Sequence, residues 1–430
     1  MKKYIYGYLG ILLTTLGSMQ AQNDLSFYHM GDYVSQTQNL SPVHLPKNAF
    51  TLGVLAHAGA SANSNLLLSD VFVANGNRLK IDFDNLHTVA QKKNNISAGF
   101  TIPLWMLSLK TKKGSLSLFA NVKGAVNWLF TDDFTSIAAN GFAESFALSN
   151  EKLLATSYSE IAIGYTHKFL NDRLVLALRL KSLNGLSHAQ TQENASFSID
   201  VAPITSFWNV KASNAAILTS GLEIEDGEMK LFTDNNGFGM DLGATYAATK
   251  KLTLEIAVND IGSIQWKENV RNYKLDDSDG KIYQGTDLNT EGSIEEEIED
   301  ALNEVIGSSE TTESFTTKLA TRTFLSARYQ LTQKNTLVAA FFNNSHALIE
   351  SKPSYSIGYQ RTLNKTTFGI LARGGGAQNS FSFGANAMLR LGFLQFYAAT
   401  DNLASLFGKV EEVHGGSIRF GLNIVYGYKS

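Results

Sequence analysis

The chain of 430 residues has no cysteine and only five prolines, against 35 glycines. Without thiols there is no disulfide scaffold, no cysteine-ligated metal centre and no lipid anchor on cysteine. Scarce proline with abundant glycine suits many closely packed strands, because proline removes a ladder donor while glycine tolerates bends and bulges. Charge of one sign is also lacking. A net charge of −3 and a pI near 6.3 leave no electrostatic footprint for nucleic acid, so no such partner is expected. Beyond the N-terminus no run is apolar and long enough for a membrane helix. The mean hydropathy of −0.08 is compatible with a wall that alternates oily and polar residues.

The N-terminus carries Lys2 and Lys3, an apolar run from Tyr4 to Leu16, and then Gly17, Ser18 and Gln20-Ala21-Gln22. That is the layout of a secretory signal peptide over residues 1–21, cleaved after Ala21, which places the mature protein outside the cytoplasm. The run is short for a spanning anchor, the alternative reading. Residues 22–50 mix polar and bulky side chains, among them Phe27, Tyr28, Met30 and Tyr33. Leaving these in water is costly, which favours a segment folded back as a plug over a disordered lead.

From residue 51 onward a period of two recurs. Leu174, Leu176, Leu178 and Leu180 alternate with Arg173, Ala177, Arg179 and Lys181. Phe238, Met240, Leu242, Ala244 and Tyr246 alternate with Gly239, Asp241, Gly243 and Thr245, and Leu252 to Val258 repeats the pattern against Thr253, Glu255 and Asn259. Such runs have the length a tilted strand needs to cross hydrocarbon. Strands are expected to begin near residues 51, 95, 115, 158, 172, 237, 252, 320, 336, 354, 366, 380, 394 and 415. Short connections such as 110–114, 170–172 and 247–251 alternate with long ones such as 61–94, 185–236 and 260–319. The expectation for residues 51–430 is an all-β, roughly fourteen-stranded antiparallel transmembrane barrel, with tight turns on the periplasmic side, in the outer membrane and in contact with its lipid. A soluble β-sandwich is the competing reading. It leaves unexplained the Arg, Lys, Glu and Asp on the face opposite the oily one in strand after strand. Residues 293–307 instead read as a capped amphipathic helix in a long external loop, either a lid on the barrel mouth or a docking face.

Four blocks carry a resemblance: LKSLNGLSHAQTQ (180–192), GFGMDLGATY (237–246), VNDIGSIQWKENVRNY (258–273) and DNLASLF with GSIRFGLNIVYGY (401–428). Together they resemble a Bacteroidota outer-membrane barrel family catalogued as domain of unknown function 5723. Through it they resemble the long-chain fatty acid transporters and the type IX secretion shuttle barrel. The resemblance implies fourteen strands but no established activity, so it transfers no functional residues. Those relatives often carry Asn-Pro-Ala near the mature start; here Asn39-Leu40-Ser41-Pro42 departs from it.

For catalysis the eight histidines are scattered, and neither a Gly-x-Ser-x-Gly elbow nor a His-Glu-x-x-His pair occurs. No enzyme, cofactor or metal site is expected. Gly374-Gly375-Gly376 precedes another strand and reads as a turn, not a phosphate nest. Pro103 lies inside an expected strand, where it removes a ladder bond, and with Gly124 it is a candidate lateral gap of the kind fatty acid transporters open. A bulge that merely curves the wall is the alternative. Candidate lumen charges are Arg173, Arg179, Lys181, Arg322, Arg328, Arg390 and Arg419 against Glu160, Asp241 and Glu255, a set that leans basic. They serve either as internal ion pairs or as an anion-selective conduit. Two functions follow: transport or binding of a small hydrophobic or amphipathic molecule, or an accessory barrel whose loops hold a secretion or surface protein.

Overall fold

The computed structural model describes residues 24–428 except 76–77, 141–144, 150, 203–206, 222–231, 284–306, 377–380 and 408–413. Fourteen antiparallel strands form the wall. They are β1 (Phe50–Ser64), β2 (Asn94–Lys110), β3 (Gly114–Phe130), β4 (Lys152–Phe169), β5 (Leu174–Thr191), β6 (Asn236–Ala247) and β7 (Leu252–Trp266). The second half comprises β8 (Thr321–Thr332), β9 (Asn335–Ser345), β10 (Ser354–Thr362), β11 (Thr366–Gly375), β12 (Ser382–Leu391), β13 (Leu394–Thr400) and β14 (Gly415–Tyr426). Each strand pairs with its sequence neighbours, and β14 pairs with β1, Thr51 opposite Val425 and Ala60 opposite Ile418, so the sheet closes with no free edge. Closure pairs the wall strands all the way round, the condition for standing in lipid, apart from local register shifts.

The period-two alternation resolves into an oily exterior. Ile161, Ile163 and Tyr165 of β4 are each half exposed, and Ile370 on β11 is 62% exposed, whereas Glu160 and Thr367, of the opposite parity on the same strands, are buried. In a soluble sheet the solvent-accessible face would be the polar one. Large exposed aromatics also gather at the tight-turn end: Phe169, Tyr246, Tyr329, Phe393 and Tyr426. That is where a membrane barrel carries an interfacial aromatic girdle.

The strand starts follow the alternation closely, with one exception. β4 begins at Lys152 instead of 158, because a register shift between Ser157 and Tyr158 breaks the phase there. The expected helix at 293–307 falls, but for Gly307, outside the described residues. Above the long-loop end, strands 196–201, 208–213 and 278–283 with the short 146–148 make a separate four-stranded sheet. It packs its own core of Phe146, Ile199, Val210 and Ala212.

Candidate functional site: a stoppered lumen

Residues 24–49 occupy the bore. The segment opens with α1 (Leu25–Met30), every residue of which is buried, and continues through two single turns of tighter helix to Asn39. It enters from the tight-turn end, where the Ala49 amide donates to Gly427 and the Lys110 amide donates to Ala49. Phe27, Tyr28, Met30, Val34 and Leu40 pack with wall residues Phe324, Phe342, Met388 and Tyr397 in one cluster. Tyr28 stacks on Phe324 with centroids 4.9 Å apart.

Polar contacts from around the wall hold this stopper. α1 has no capping side chain of its own; Asp401, just past β13, accepts from the Leu25 amide (3.2 Å) and the Ser26 amide (2.6 Å) instead. At the other end of α1, Arg328 of β8 donates to the carbonyls of Tyr28 and His29, both at 3.0 Å. A helix end satisfied by a partner on another element is docked, not merely formed. Asp24 pairs with Arg419 at 2.5 Å, Tyr28 donates to Glu255 at 2.7 Å, and Gln36 bonds Asn423. Further along, Arg179 donates to the Gln38 carbonyl (2.6 Å), Asn259 to that of Leu40 (2.7 Å) and Thr166 to that of Pro42 (2.8 Å). His29, bonded to Ser356 at 2.9 Å, is kept neutral: burial and the nearby Arg328 guanidinium lower its pKa to about 3.

Beside the stopper lies a buried ion cluster. Lys181 reaches Asp260 (2.5 Å) and Asp241 (2.6 Å). Arg179 binds Asp241 (2.6 Å), Arg322 binds Asp260 (2.6 Å), and Lys123 binds Glu160 (2.9 Å). Among the described residues, these ion pairs join four cations to three carboxylates. Asp260 enters by a local device. Asn259 and Asp260 both oppose Asp241, a bulge in β7, and Asp260 takes φ +60°, the left-handed region that Asp tolerates better than most residues. Both side chains consequently point into the bore, Asn259 to the stopper and Asp260 to the cluster. The phase of the strand then reverses. Leu254 and Ile256 face lipid before the bulge, whereas Ile264 and Trp266 are fully buried after it.

Above the cluster, toward the long loops, is a cavity of about 130 Å³ with Lys123, Tyr158, Asp260 and Arg322 at its base.

Most of the expected lumen charges gather here, with corrections. Arg179, Lys181, Arg322, Arg419, Glu160, Asp241 and Glu255 are buried, and Arg328 reaches the stopper. Arg173 does not belong to the lumen. It is exposed beside the Leu170–Asp172 turn, whose three residues all have positive φ, and stacks on the outward Tyr246. Arg390 lies near the tight-turn rim with its guanidinium 3.7 Å from the Tyr428 ring. The basic lean is also smaller than expected, because Asp260, Asp24 and Asp401 join the acids while Lys123 and Arg373 join the bases. Lys123 already stood on the polar face of its strand in the sequence; Asp260 was hidden by the bulge.

At the candidate gap, Pro103 pairs with Asn121 and is followed by a bulge before Trp105. Adjacent β1 changes register on both sides, between Gly53 and His57 against β14 and between Val54 and Gly59 against β2. Gly124 lies opposite Phe100, and a Cβ there would collide with the Phe100 ring. Among the described residues no group of three or more His, Asp or Glu is arranged to hold a metal ion.

A family model described as "Family of unknown function (DUF5723)" matches residues 42–401, most of the chain. The protein belongs to this family. No curated protein matches this DUF5723 chain. Among solved structures it is similar to the Ralstonia pickettii toluene transporter TbuX, at 9% identity and a TM-score of 0.43 over 91% of this chain and 93% of that one. It is also similar to the P. putida toluene transporter TodX, at 7% identity and a TM-score of 0.41 over 91% and 92%. A Pseudomonas aeruginosa FadL homologue follows at 11% identity and a TM-score of 0.37 over 88% of each chain.

Proposed function

We propose that this barrel resides in the outer membrane after removal of residues 1–21. There it admits small hydrophobic or amphipathic molecules without chemically altering them, releasing them sideways through the wall beside Pro103. The observation that carries this reading is the double break in β1, whose register shifts against both neighbours at the height of the Pro103 bulge. A wall built only for enclosure gains nothing from losing pairing on both sides of one strand, since each missing bond in lipid is costly. The stopper fits the same reading: it blocks the axial route toward the tight-turn end and makes a lateral exit the shorter one.

The test is uptake of an apolar fluorescent probe by proteoliposomes. Pro103→Val, which restores a ladder donor, is expected to slow uptake several-fold while the melting temperature holds or rises. Unchanged uptake would remove the lateral exit.

A second reading rests on the separate four-stranded sheet, which has a core of its own. It would present a surface to a secretion or surface protein. A partner co-purifying in stoichiometric amount, and lost when residues 196–213 are replaced by a short linker, supports it; uptake without a partner supports the first.

A further inference from the structure

The passage proposed above leaves open what enters it, and the cavity over the ion cluster narrows the choice. Its volume of about 130 Å³ is close to that of an engineered cavity of roughly 150 Å³ that accepts benzene. A ring fits and a long acyl chain does not. Leu154, Leu319, Phe342 and Ile349 with three alanines supply an apolar lining, into which polar and charged side chains are set.

Three polar features specify a ligand. The first is the Asn344 carboxamide oxygen, which lies buried in this lining with no hydrogen-bond partner among the described residues. It is sealed from the cavity as the side chain stands; a rotation of the Asn344 carboxamide would present it to a hydroxyl donor, whereas a pure hydrocarbon would leave it unpaired. The second is the base, where Lys123 and Arg322 belong to the cluster with one cation more than its carboxylates. In a narrow bore with low-dielectric walls that excess attracts an anion. The third is the mouth. Lys352 is offset by Glu350 at 3.7 Å, but exposed Lys318 has no carboxylate within ion-pair distance among the described residues.

Resting on the passage reading, we infer that this cavity binds a small aromatic carboxylate bearing a hydroxyl group. The ring lies against Phe342 and Leu154, the hydroxyl donates to Asn344, and the carboxylate is drawn by Lys318 at the rim. Neither Lys318 nor Asn344 holds the stopper or the ion cluster, so each can be changed without disturbing them.

Calorimetry on the detergent-purified full chain tests this with 4-hydroxybenzoate, benzoate and toluene. Saturable binding of 4-hydroxybenzoate is expected, tighter than benzoate. Lys318→Gln should weaken both acids about fivefold and flatten their salt dependence. Asn344→Leu should bring 4-hydroxybenzoate down to the level of benzoate. Equal melting temperatures establish that both variants are folded. Absence of 4-hydroxybenzoate binding, or binding that neither variant alters, overturns the inference, as does toluene binding better than either acid. Uptake by proteoliposomes is scored separately. If toluene crosses but the acids neither bind nor cross, this site fails and the passage stands; if the acids bind as described but nothing crosses, the passage fails and the site stands.

Discussion

Removing the Asp401 carboxylate should release α1 from the lumen while leaving the wall intact. Asp401 is fully buried and holds the first turn of α1 through two amide hydrogen bonds, at 2.6 and 3.2 Å. Bonds to a buried charged acceptor contribute about 1.5–3 kcal/mol each. Taking about 1.5 for each, the lower end of that range, gives ~3 kcal/mol for Asp401→Ala. At 1.4 kcal/mol per decade that is about a hundredfold shift in the local opening equilibrium. Amide exchange over Phe27–Met30 reports it directly: protection should fall by about two orders of magnitude in Asp401→Ala and by about one in Asp401→Asn, which keeps one acceptor oxygen. Because the fourteen-strand ladder does not use this carboxylate, global melting should be nearly unchanged. Unaltered exchange in α1 would refute the docking argument. So would a loss of protection spread equally through the strands, since stopper and wall would then be opening as one unit.

Other outcomes are specific enough to check. His29 titrates near 6.5 when released but near 3 when seated, so the released form binds the extra proton as pH falls. Seating should therefore weaken progressively from about pH 6 downward, seen as rising proteolysis of residues 24–40, and His29→Gln should flatten that profile. Asp260→Ala strips a carboxylate from beside Lys181 and Arg322 and places alanine at φ +60°; a cost of about 3–5 kcal/mol is expected, read as lost refolding yield. Ile370→Lys puts a charge on the lipid face and should cost about 2–4 kcal/mol in bilayer refolding titrations if the position lies at the midplane. Gly124→Val forces the Phe100 ring aside, with an expected cost of about 1–3 kcal/mol and altered probe uptake.

The wall was legible because lipid on one side and a wet bore on the other impose a two-residue period for whole strands, as in Leu174–Lys181. Tight turns were equally readable as the short gaps between alternating runs, as at 110–114, 170–172 and 247–251. What was lost lay where one residue breaks the phase. The bulge at Ser157–Tyr158 hid the start of β4, and the positive φ of Asp260 concealed an acid central to the cluster. Arg173 kept the parity of Arg179 but precedes the strand, so periodicity alone sent it inward. The bulky residues of 22–50 announced a buried segment, yet its partners could not be read. Asp401 and Arg328 stand some 300 residues or more from the amides and carbonyls they hold, and no local pattern couples them. The external sheet escaped because its strands are too short to stand out from loops.

The extra residue at Asn259–Asp260 acts as a switch in the alternation of β7. Deleting it would do more than shorten one strand: from there to Trp266, whatever now meets oil would meet the channel, and the converse. The indole would be thrust into lipid and the throat above the stopper would widen. One backbone insertion thus decides which side chains in the last third of β7 line the bore and which face outward.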